Sequence, residues 1–259
     1  MGHIHLGVLP QSRKWKAVVA LLEDRAPEVD VIQAAALAAE RELRSAPEDA
    51  IFVECVRLLG MIPAAARNEN FGRALRDLGL PVGDLPDLLS VTAATGEWLD
   101  RFVYQRAHPS DFGELTRRAL LAAFTQIVGD QLPGLFAATP EDTRVAFRRL
   151  SHSANFSIVA RSFFTRLLSQ TLSYWLDRTL STHVGHGKRF EHVGERAAFD
   201  RALDQYSFEA TRIIREFAGG WYGKTLHRDG EISSQSATVF GAVAFKKIVE
   251  ELQRKRVDV

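Results

Sequence analysis

The sequence predicts an all-α protein, a multi-helix bundle of about ten helices in two packed layers or halves. Three observations carry this. Apolar residues recur at three- and four-residue spacing and scarcely ever alternate, which places them on one face of a 3.6-residue turn. Ser, Asp, Asn, Thr and Pro stand just before these runs, and Gly stands after several of them, as helix caps. A composition of 46% hydrophobic and 25% charged residues is that of an ordinary globular chain able to bury a core. The one departure is a short extended start over His3 to Leu9.

In order, Ser12 caps a first helix whose Trp15, Val18, Val19 and Leu22 share a side. The alanine-rich run from Val31 to Leu43 makes a second, with small side chains that let helices approach closely. Pro47, followed by Glu48 and Asp49, opens a third through Ile51, Val56 and Leu59, with acidic residues at the positive end of the dipole. A fourth follows Asn70, with Phe71, Ala74, Leu75 and Leu78 inward and Gly79 as a left-handed C-terminal cap. Asp84-Leu85-Pro86 restarts helix towards Trp98 and Phe102. His108-Pro109-Ser110 breaks it, and Ser110 caps a sixth helix carrying Leu120, Phe124 and Ile127.

Gln131-Leu132-Pro133-Gly134 ends that run, and Thr139-Pro140-Glu141-Asp142 combines N-cap, first-turn proline and acidic first turn. The division between halves is placed here, at residues 1–136 and 137–259. The second half is dominated by a long spine with Phe156, Val159, Phe163, Leu167, Leu172, Trp175 and Leu180 inward. A glycine-punctuated loop from Gly185 to Gly194 leads to a helix through Phe199, Leu203, Tyr206, Ile213 and Phe217, ended by Gly219-Gly220. After an irregular stretch, Ser233 or Ser234 caps a last helix with Val239, Val243, Ile248 and Leu252. No tandem period of solenoid length is evident.

The 33 basic side chains nearly balance the 32 acidic ones, so the whole chain exerts no strong pull on nucleic acid or anionic membrane. The distribution is uneven: 14 basic and 18 acidic residues before position 137, 19 and 14 after it. The second half is therefore the better match for a phosphate-bearing partner. Cys55, the single cysteine, excludes an intrachain disulfide and a multi-cysteine metal site, and fits a reducing cytoplasm. The start, Met1 to His5, has no signal-peptide pattern. The apolar run from Phe156 to Leu180 contains Arg161, Arg166, Asp177 and Arg178, whose depth in hydrocarbon is too costly for a membrane span. The expectation is a cytoplasmic chain with no membrane partner.

The segment Ala218-Gly219-Gly220-Trp221-Tyr222-Gly223-Lys224-Thr225 fits the relaxed phosphate-binding loop, in which backbone N–H groups wrap phosphate, a lysine reaches the terminal phosphates and Thr holds magnesium. Its context differs from that motif: the preceding residues 210–217 read as helix rather than strand, and bulky aromatics fill the cradle. The segment reads better as a glycine-rich loop in which Trp221, Tyr222, Lys224, His227 and Arg228 grip a partner or a stacked base. His183, His186 and His192 lie close together beside Glu191 and Glu195 and form a candidate metal site, although their spacing matches no helical two-histidine motif. His3 and His5 would join it only if the fold brings the N-terminus there. Cys55 sits among apolar neighbours and reads as a small buried hydrophobe. No nucleophile elbow appears, and no catalytic residue is assigned.

Arginines are plentiful in the second half, and with Arg148, Arg149 and Lys224 they could track a phosphate backbone. Arg161 and Arg166 stand on the apolar spine, where a guanidinium must find a carboxylate or a ligand; Asp177, Asp204 and Glu209 are the candidate partners. The leading functional expectation is a cytoplasmic interaction subunit, a scaffold or adaptor acting through protein contacts. The alternatives are a nucleic-acid-backbone-binding subunit using the second half, and a nucleotide- or metal-dependent enzyme using residues 218–225 or the histidine loop. The sequence identifies no particular cofactor.

Overall fold

The apolar spacing becomes helix wherever a cap starts it. The computed structural model describes residues 12–106, 108–134, 137–180 and 183–257. Among these it forms eleven α-helices: α1 Arg13–Glu23, α2 Glu28–Ser45, α3 Ala50–Ala65, α4 Phe71–Asp77, α5 Leu88–Arg106, α6 Asp111–Gly129, α7 Pro140–Leu150, α8 Ser153–Leu180, α9 Val193–Ala210, α10 Ile214–Asp229 and α11 Ser234–Val257. A 3-10 turn, Ala46–Glu48, leads into α3, and an isolated parallel bridge pairs Val184 with Phe190. The all-α bundle is thus as expected. The extended start at His3 to Leu9 lies outside the described residues.

Ser12 accepts from the Trp15 N–H, Asn70 from Arg73, and Ser233 from Ser236, each satisfying a donor the helix leaves open. Thr139 and Asp142 form a reciprocal capping box. Pro47 does not open α3: it lies in the 3-10 turn, and Asp49 caps α3 by accepting from Ile51 at 2.8 Å and Phe52 at 2.9 Å. Ser110, the cap of α6, accepts from Gly113 at 2.8 Å and donates to the other oxygen of Asp49, so two helix starts share one hydrogen-bonded pair. Ser110→Ala should therefore cost about 1–2 kcal/mol, the upper range for a single cap, read as a lower urea midpoint at unchanged slope.

Gly79 takes φ +94°, as a left-handed C-terminal cap requires, and a Cβ there would lie 2.4 Å from the Trp98 ring.

The long helix α8 is the spine, packed against α2, α6, α7, α9 and α10. Its inward face is buried from Phe156 through Phe163, Phe164, Leu167 and Leu172 to Leu180. The aromatic centre of the core is Phe52 on α3, whose ring lies 5.4 Å from Phe245, 6.0 Å from Phe112, 6.3 Å from Phe164 and 6.5 Å from Phe163. Helix α11 packs on α2 and α3, so elements far apart in the sequence share this core. Among the described residues, no helix is long and apolar enough to cross a membrane.

Trp175 is partly buried, and its indole N–H donates to Glu42 at 2.7 Å. Burial holds the Glu42 carboxyl above its ordinary value; the Trp175 hydrogen bond opposes this, Asp111 adds to it and Arg178 opposes it. A folded-state carboxyl that keeps its proton to higher pH than the unfolded chain loses stability as pH rises just above 4.5. Glu42→Gln keeps an acceptor for the indole without the charge. Urea denaturation from pH 4 to 7 should show that part of the pH dependence removed, with no loss of stability at pH 7.

Candidate functional site

Opposite its buried face, α8 carries a second stripe at the same spacing: Ile158, Arg161, Ser162, Thr165, Arg166, Ser169 and Gln170. Helix α9 answers with Arg201, Asp204, Gln205 and Phe208, the first turn of α10 adds Arg215, and the end of α6 adds Gln126 and Ile127. Together they wall a groove of about 640 Å³, within the size range of small-ligand sites.

Four arginines and one aspartate line it. The Arg161 guanidinium stacks 3.7 Å from the Phe208 ring centroid and donates to the Phe208 carbonyl at 2.7 Å. Arg166 donates to the Gln126 side-chain oxygen at 2.5 Å. The carboxylates expected to pair with these two arginines are engaged elsewhere. Asp204 accepts from the Ser169 hydroxyl, Asp177 pairs with Arg196, and Glu209 accepts from Gln205. Among the described residues no ion pair joins Arg161, Arg166, Arg201, Arg212 or Arg215 to any Asp or Glu.

The electrostatic consequence falls on Arg161. Burial lowers its pKa from the usual value, and the neighbouring charges of Arg215 and Arg212 lower it further. It still carries its proton at neutral pH, since arginine starts so high. Beneath the groove wall, the Nε atoms of Arg161 and Arg166 and the side-chain oxygen of Gln170 are buried without a protein partner. The arrangement is a set of cations around one hollow, with Arg161 and Arg166 half-buried and Arg201 and Arg215 exposed: chemically, a receptor for an anion.

The residues expected on the glycine-rich loop are placed differently. Residues 214–229 are continuous helix, so the loop is corrected to α10, and the preceding helix ends at Ala210 rather than at Gly219-Gly220. Gly219 and Gly223 are contact glycines: a Cβ on Gly219 would stand 2.3 Å from the Ser153 carbonyl, and one on Gly223 2.8 Å from the Ser153 hydroxyl. Their missing side chains let α10 press onto the first turn of α8. Tyr222 is fully buried, stacked on Phe156 at 4.0 Å and 9°, and Trp221 stacks on Phe240 at 4.0 Å. A helix bonds its own N–H groups, so residues 218–225 make no phosphate cradle. Lys224, His227 and Arg228 are exposed, and Arg228 pairs with Asp229 at 2.7 Å.

Arg148 and Arg149 are exposed in the last turn of α7, where positive charge suits the helix dipole. His186 and His192 are exposed and His183 half-buried, with His192 as the residue before α9. Among the described residues no group of three or more His, Cys, Asp or Glu is arranged to hold a metal. Their segment is an anchored connection: Phe190 packs on Phe199 at 5.7 Å, and Arg189 donates to the carbonyls of Leu21 and Ala26. His3 and His5 lie outside the described residues.

Of the groove, sequence reasoning singled out Arg161, Arg166 and Asp204 but passed over Gln126, Gln170, Arg201 and Phe208. The signal present was the polar stripe on α8, offset from the greasy one. Compared with known proteins, the chain matches no family model, no curated protein and no solved structure.

Proposed function

We propose that the protein is a binding subunit that holds an anionic, phosphate-bearing ligand in the groove between α8 and α9. One observation carries the reading: four arginines line one groove with a single carboxylate, Asp204, which accepts from Ser169 and forms no ion pair with any of them. A bound anion would meet these guanidinium groups with charge-assisted hydrogen bonds. This retains the expected preference of the second half for phosphate and moves it from Arg148, Arg149 and Lys224 to Arg161, Arg166, Arg201 and Arg215. Arginines keep their protons near neutral pH, so these side chains would hold an anion rather than exchange protons with it.

Isothermal titration with inorganic pyrophosphate tests this. Saturable binding that weakens with added salt is expected. The pair Arg161→Gln and Arg215→Gln should lower affinity at least tenfold, about 1.4 kcal/mol, while Arg148→Gln and Arg149→Gln leave it unchanged. No heat at low salt, or equal losses in both pairs, would remove the groove from the account.

A further inference from the structure

Beside the arginines, the groove carries an apolar shelf. Phe208 is 46% exposed and Ile158 39% exposed, although most large hydrophobic side chains here are buried. Ile127 extends the same wall. The Phe208 ring is held from one side by the Arg161 guanidinium, so ring and cation form one plate. Exposed apolar surface inside a concave, cationic site selects a ligand with a flat or apolar part as well as an anion. Gln170 lines the same groove with its side-chain oxygen buried and unpartnered, so a turn of the amide would present an acceptor to a ligand N–H or O–H. Inorganic phosphate would satisfy the arginines alone.

We infer that the occupant is a nucleoside phosphate, its phosphates among the arginines, its base on the Phe208–Ile158 shelf and its hydrogen-bonding edge towards Gln170. This inference rests on the anion-binding reading above. The groove's volume, about 640 Å³, suits a single small molecule rather than a length of nucleic acid. Polymer binders spread their cations along a track, whereas these converge on one hollow.

Titrations of the whole chain with the four common ribonucleoside diphosphates, pyrophosphate, the four nucleosides and a twelve-nucleotide single strand separate the outcomes. At least one diphosphate should bind tenfold or more tightly than pyrophosphate, with its nucleoside alone far weaker. Phe208→Ser should abolish that advantage while pyrophosphate affinity changes less than threefold. Gln170→Leu, a second variant at a partly exposed position, should reduce the advantage without affecting pyrophosphate. If pyrophosphate binds as tightly as every diphosphate, the nucleoside inference is overturned and the anion site stands. If neither binds, both fall. Tight binding of the single strand with none of the diphosphates overturns it in favour of a polymer.

Discussion

Tyr222→Ala should lower the unfolding free energy by about 3–5 kcal/mol, the range for removing a large buried aromatic. Its ring is fully buried and stacked on Phe156 at 4.0 Å, so truncation opens a cavity at the seam of α8 and α10. The hydroxyl lies 3.3 Å from the Gly60 carbonyl, and burial pushes its pKa well up, so it is a neutral donor whose partner on α3 is lost with the ring. The backbone cannot close the gap cheaply, because Gly219 and Gly223 already bring α10 against Ser153. Chemical denaturation gives the stability change directly. A ligand-gripping Tyr222 would instead show a small stability change and a large loss of binding.

Phe52→Ala should be of similar size, about 3–5 kcal/mol, because its ring meets Phe112, Phe163, Phe164 and Phe245. The same ring explains Gly241, where a Cβ would lie 2.4 Å from Phe52 Cε1. Gly241→Ala should therefore destabilise the parent chain by about 1–3 kcal/mol through overpacking. In the Phe52→Ala background the methyl enters the vacated space, so Gly241→Ala should be neutral or stabilising. A double-mutant cycle measures this coupling. Additive losses would mean that the two residues do not share the contact.

Helix starts were legible because caps are local chemistry: Ser12, Asn70, Ser110, Thr139 and Ser233 act within three residues of themselves. The division of α9 from α10 was not. The turn at Thr211 to Ile213 contains neither glycine nor proline, while Gly219, Gly220 and Gly223 look like stop signals and sit mid-helix. What decides between stop and close contact is the position of Ser153, which no local pattern contains.

The candidate site divides the same way. Arg161 and Arg166 on a greasy spine pose the question of a partner from sequence alone. The answer depends on Ser169 holding Asp204 and Arg196 holding Asp177, which are tertiary facts. Trp221 and Tyr222 show the converse, since aromatics beside a lysine resemble a recognition loop until the helix turns them inward.

The most direct test is a side-chain spectrum of the arginine Hε–Nε groups, assigned by single Arg→Lys changes and recorded while pyrophosphate is added. The account predicts that signals of Arg161, Arg166 and Arg215 shift and saturate together while those of Arg148 and Arg149 stay in place. Saturation that moves Arg148 and Arg149 and leaves the groove arginines unmoved would contradict it.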